Sequence, residues 1–203
     1  MKISFDQETR RGKLRYEIEF DLDDGAIMND TLSIQTTARR INLDNPGHRA
    51  DEFEVNVNFD TQENTISIEH EERVLASYDL KELEELYEQA KESFQAGMSI
   101  PLERAEELAT ETVAEYVSAQ TRELFTNSIE ELVTLFPAGD PIFGCAIKAG
   151  ASGLIGQAVR CKKELGSSAS VRTMLRCLRE HARGIGKIAL VRFIRCFLTL
   201  GFL

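Results

Sequence analysis

Up to residue 78 the apolar residues of this chain recur at every second position, and from residue 79 they recur at every third and fourth. That change of period is the strongest constraint on the fold. Period two is the signature of a strand with one dry face, and period 3.6 that of an amphipathic helix. In "KLRYEIEF", Leu14, Tyr16, Ile18 and Phe20 point one way while Arg15, Glu17 and Glu19 point the other. Phe53, Val55, Val57 and Phe59 repeat the alternation, and "KISF", "DTLSIQTTARRI" and "NTISIEH" supply further strands. Asp-Asp-Gly at 23–25 and Asn-Pro-Gly at 45–47 have turn chemistry, and residues 60–64 read as a short hairpin loop. The expectation is an antiparallel meander of about five strands, wet on one face, followed by a helical C-terminal half. The fold class is therefore α+β.

The helices begin at Asp79, an N-cap residue with Glu82 three positions on. Leu80, Leu83, Leu86, Tyr87, Ala90 and Phe94 form the apolar stripe, and Gly97 is expected to end it. A second helix follows Pro101. Leu102, Ala105, Ala109, Val113, Tyr116, Val117 and Leu124 are expected to form its apolar face, with Glu103, Glu106, Glu107, Glu111 and Glu115 on its remaining surface. "PAGDP", 137–141, breaks the pattern.

Charge changes near the same place. Residues 1–133 hold 13 Lys and Arg against 31 Asp and Glu, whereas residues 134–203 hold 11 against 3. An acidic part joined to a basic part suggests two functional halves. We divide the chain into an acidic β domain at 1–78, acidic amphipathic helices at 79–136 and a basic, cysteine-containing helical module at 137–203. The whole chain has a net charge of −10, which argues against nucleic acid as a partner.

The basic module opens with "IFGCAIKAGASGLIGQAV", whose Gly and Ala content disfavours a solvated helix but permits close helix approach, in lipid or against other helices. "VRTMLRCLREHAR" then places Val171, Met174, Leu175, Leu178 and Ala182 on one face. Arg172, Arg176, Arg179 and Arg183 form a stripe beside it. Ser168 or Ser170 caps this helix, and Gly184 and Gly186 suggest a hinge before a final helix carrying Lys187, Arg192 and Arg195. Like charges at helical spacing repel unless an anion meets them. The two candidates are the chain's own acidic helices and an anionic membrane surface, where each basic residue contributes about 1 kcal/mol.

All four cysteines, Cys145, Cys161, Cys177 and Cys196, lie in this module. An even count in one segment reads either as a disulfide framework, with three connectivities open, or as four buried or free thiols in a cytosolic protein. Cys177 and His181 have a spacing that can bind zinc, but no Cys-x-x-Cys accompanies them, and neither a metal nor a cofactor is expected. No nucleophile elbow, phosphate-binding loop or zinc-protease motif is visible, so the chain does not read as an enzyme. No apolar leader is apparent at the N-terminus, which implies synthesis in the cytoplasm, with the C-terminal part exported or membrane-associated afterwards.

The function these features suggest is a precursor-like protein. An acidic propeptide-like front would mask a cationic, disulfide-bearing, membrane-active part of bacteriocin-like or antimicrobial type. The alternative is a non-enzymatic intracellular interaction or scaffold protein with one integrated α+β structure and a protein partner.

Overall fold

The computed structural model of the chain describes residues 1–9, 12–22, 26–28, 30–45, 47–126, 141–166 and 169–199. Seven strands come first: β1 (Lys2–Thr9), β2 (Gly12–Phe20), β3 (Ala26–Met28), β4 (Thr31–Asn42), β5 (Asp51–Asp60), β6 (Thr65–His70) and β7 (Arg73–Asp79). Five helices follow among the described residues: α1 (Leu80–Met98), α2 (Leu102–Thr126), α3 (Pro141–Leu165), α4 (Val171–Glu180) and α5 (Ala182–Thr199). The fold is α+β, as the change of period requires.

The sheet is antiparallel in the order β1-β2-β4-β5-β6-β7, with short β3 also paired to β4. Phe20 lies opposite Thr36 and Ala26 opposite Ser33. The chain thus advances six residues where β4 advances three, and β2 and β3 follow the same side of β4 with an interruption between them. The Asp-Asp-Gly segment at 23–25, the break at 137–140 and Ser168 lie outside the described residues. The register keeps the apolar sets together: Ile18 faces Ala38, Ile34 faces Val57, Val57 faces Ile68 and Ile68 faces Ala76. Tyr16, Ile18, Phe20, Leu32, Ile34, Phe53, Val55, Val57, Phe59, Ile66 and Ile68 are all buried on this dry face. The wet face is laced by cross-strand ion pairs, among them Arg15 with Asp6 at 2.6 Å and Arg39 with Glu19 and Glu52 at 2.5 and 3.0 Å.

Helix α3 covers the dry face. It touches β2, β4 and β5 and also all four other helices. Such a position explains its composition, because each glycine admits a different neighbour. A Cβ on Gly150 would lie 3.0 Å from Thr36 Cγ2 in the sheet, and one on Gly153 would lie 3.0 Å from the Ile185 carbonyl oxygen in α5. At Gly156 it would lie 2.8 Å from the Thr110 carbonyl oxygen in α2. The small residues serve packing on several sides at once. The stretch 142–165 is apolar and long enough to cross a membrane, yet 89% of an 18-residue apolar window within it is buried in the protein. Gly156→Ala is expected to cost about 1–3 kcal/mol, since backbone rather than a mobile side chain opposes the new methyl group. Urea denaturation would measure it, and an unchanged midpoint would mean that α2 and α3 are not in contact as described.

A single apolar core draws on the sheet and on all five helices. Phe193 and Phe197 of α5 lie with their ring centroids 5.4 Å from that of Phe5 in β1, and Phe193 is 6.1 Å from Tyr16 in β2. The described parts of segments 1–78, 79–136 and 137–203 therefore share one interior.

Asp79 caps α1 by accepting a hydrogen bond from the Lys81 N–H at 2.7 Å. Gly97, by contrast, lies inside α1, and Ser99 is the left-handed residue that ends it, with φ of 50°. Ser170 is the cap of α4, its Oγ accepting from the Thr173 N–H. Gly184 and Gly186 form no hinge; both lie within α5, and the break between α4 and α5 falls at His181.

Candidate functional site: a cationic helical unit against acidic helices

The two disulfides join Cys145 to Cys196 and Cys161 to Cys177. The first links α3 to α5 and the second links α3 to α4. Both close within residues 141–199, so three helices are stapled to one another and no disulfide ties them to the sheet, α1 or α2.

Contact with the acidic helices is made by ion pairs instead. Arg192 lies 3.2 Å from Glu115 and also donates from Nη2 to the Glu111 carbonyl at 3.1 Å. Arg195 reaches the same Glu115 at 3.5 Å, and Lys187 stands 4.0 Å from Glu111. Arg160 of α3 pairs with Glu106 of α2 at 3.3 Å, and Lys163 with Glu88 of α1 at 3.3 Å. Hydrogen bonding from the Arg192 guanidinium, outweighing partial desolvation, and the nearby charges of Arg192 and Arg195 hold the Glu115 carboxyl below the ordinary carboxylate range. A carboxyl lowered in the folded state contributes stability above its unfolded value, and that contribution is lost as pH falls through the folded one. Protonation of Glu115 therefore removes its ion pairs with Arg192 and Arg195.

The arginine stripe of α4 behaves otherwise. Arg172, Arg176 and Arg183 are exposed and form no ion pair with any described residue. Arg179 donates from Nε to the Leu22 carbonyl at 2.7 Å, anchoring α4 to the chain beyond β2. Of the two candidates for meeting the stripe, the acidic helices form no ion pair with Arg172, Arg176 or Arg183 among the described residues. α1 and α2 lie along α3, and α2 also meets α5, which carries Arg183. The seven basic residues divide into a paired set on α5, an anchor at Arg179, and three cations beside the apolar face of α4 that pair with no described residue.

Between α2, α3 and α5 lies a cleft of about 210 Å³, with Glu103, Glu107 and Glu111 opposite Arg183 and Lys187. The Gln157 side chain forms part of its lining, and its buried Nε2 has no hydrogen-bond partner among the described residues.

Two further side chains at this junction, Arg160 and Glu164, belong to no pattern that sequence reasoning singled out. Arg160 Nε donates to Glu164 Oε1 at 2.7 Å, an i, i+4 pair whose spacing is visible in "RCKKE". Glu164 Oε2 in turn lies 3.3 Å from His181 Nε2. No family model, curated protein or solved structure matches this chain.

Proposed function

We propose that residues 1–126 act as a covalently attached guard for a disulfide-stapled, cationic helical unit, residues 141–199, whose target is an anionic membrane surface. One observation carries this reading. Both covalent staples lie inside the unit, whereas its links to the guard are ion pairs and apolar contacts, which can be exchanged for others. The acids Glu88, Glu106, Glu111 and Glu115 neutralise Lys163, Arg160, Lys187, Arg192 and Arg195 in the intact chain. An anionic bilayer offers the same charges, at about 1 kcal/mol per basic residue near the surface. It also offers an apolar phase for α3, whose burial the sheet otherwise supplies. In water the unit has no reason to leave, because separation would bare both the dry face of the sheet and α3. Release is therefore conditional on a membrane that replaces the guard. Arg172, Arg176 and Arg183, already exposed, would make the first contact.

A second reading, an integrated scaffold with a protein partner, draws on a different observation. The core is continuous from β1 to α5, and the three exposed arginines on and beside one short helix suit an acidic protein surface equally well.

The test uses the full, oxidised chain with a protease site placed between residues 127 and 140. Vesicles containing phosphatidylglycerol and an entrapped dye are mixed with the chain before and after cleavage. Leakage is expected only after cleavage, stronger when pH falls below the carboxylate range, and weaker in high salt. Cleaved halves that stay together and leave vesicles intact at every pH would overturn the guard reading in favour of the scaffold.

A further inference from the structure

Cys161 Sγ, Cys177 Sγ and a ring nitrogen of His181 all lie within 4.8 Å of one another. Glu164 Oε2 joins them, 3.8 Å from Cys177 Sγ and 3.3 Å from His181 Nε2. Four potential ligands, two sulfurs, one nitrogen and one oxygen, therefore converge from α3, α4 and the residue between α4 and α5. We infer that, when the Cys161–Cys177 disulfide is reduced, this cluster is a zinc site whose ligands are both thiolates, the His181 imidazole and the Glu164 carboxylate.

Zinc geometry supports the assignment. With Zn–N and Zn–O near 2.0–2.1 Å and Zn–S near 2.3 Å, a tetrahedral site requires N···O edges of about 3.3 Å and S···O edges of about 3.6 Å. The distances involving Glu164 already sit close to both. Only the two sulfurs, bonded to each other in the oxidised chain, need to move apart, to about 3.8 Å. Their Cα atoms are 5.8 Å apart, and modest side-chain rotation suffices. Charge is accommodated as well. Two thiolates and one carboxylate around Zn²⁺ leave one negative charge, and Arg160, bonded to the other oxygen of Glu164, stands beside it. That bond orients the carboxylate as outer partners of metal ligands do. Cys161 and Cys177 are buried while His181 and Glu164 are partly exposed, so a metal ion would enter from the His181 and Glu164 side.

Loading the site begins with a dithiol reductant, which breaks the S–S bond, is itself oxidised to a disulfide, and leaves a proton on each cysteine. Zinc binding then releases both thiol protons to solvent. In reverse, a disulfide oxidant takes two electrons from the thiolates, the S–S bond re-forms, and zinc leaves. Either crosslink ties α4 to α3, so the cationic face of α4 is held in both redox states.

The experiment reduces the full chain with a phosphine, removes the reductant anaerobically, and titrates it with Zn²⁺ and separately with Co²⁺. One zinc per chain is expected. Co²⁺ should give a thiolate charge-transfer band with the visible bands of a tetrahedral ion. His181→Asn and Glu164→Gln should each weaken zinc binding by about 10-fold or more. Oxidation with a small disulfide should release the zinc in step with loss of the Cys161 and Cys177 thiols. Absence of zinc binding by the reduced wild-type chain would overturn the inference. So would cobalt bands that persist in Cys161→Ser and vanish in Cys145→Ser, which would place the metal at the other cysteine pair. Circular dichroism on His181→Asn, a partly exposed position, separates loss of a ligand from loss of fold.

Discussion

Phe193→Ala is expected to remove about 3–5 kcal/mol from the stability of the chain, the cost of deleting a fully buried aromatic ring whose site closes only partially. Phe193 is 2% exposed. Its ring sits against Phe5, Tyr16 and Phe197, with centroids 5.4, 6.1 and 6.3 Å away. It is a point at which the last long helix meets the first two strands of the chain, so the cavity would open at a highly non-local contact. Leu198, on the same helix but 46% exposed, supplies the control. Leu198→Ala should change stability by no more than about 0.5 kcal/mol. Urea midpoints of the two variants at equal m-value would decide the matter. Equal effects would mean that the apolar face of α5 is not docked on the sheet.

The second large effect concerns the longer disulfide. Cys145 and Cys196 are 51 residues apart, and closing a loop of that length restricts the unfolded chain by about 4 kcal/mol. The Cys161–Cys177 loop spans 16 residues, for which the same reasoning gives about 3 kcal/mol. Cys145→Ala with Cys196→Ala should therefore lower the denaturation midpoint more than Cys161→Ala with Cys177→Ala. Because each bridge shortens the loop that the other closes, removing all four should cost slightly more than the two losses added together. A long-loop variant as stable as the parent would show that Cys145 and Cys196 are not joined in solution. The comparison also bears on the guard reading, since the long bridge is what keeps α5 with α3 once α5 has left α2.

Much of the fold is legible in the residues alone. The alternation in β2, β4, β5 and β6 and the stripes of α1 and α2 are local, because burial on one face forces the period. β7, "RVLASYD", escapes such a reading because its hairpin has the wrong residues for its geometry. Glu71 and Glu72 hold φ of 46° and 66° where such a turn ordinarily takes Asn-Gly. A bulge between Ile68 and Glu69 disturbs the pairing of the same two strands. β3 spans three residues, too few for any period to show.

The site divides along the same line. Charge segregation and the confinement of four cysteines to one segment are properties of composition, and the arginine stripe of α4 is one of spacing. Which carboxylate faces which cation is neither, because α2 runs beside α5 and not beside α4, a matter of how helices pack around α3. Four cysteines permit three pairings, and only the approach of α4 and α5 to opposite ends of α3 selects one. The Gly-rich stretch follows the same rule. Its sequence determined that something would come very close to this helix, because hydrogen side chains leave room on every side. Whether that neighbour is lipid or protein depends on atoms far along the chain, and the sheet, α2 and α5 supply them.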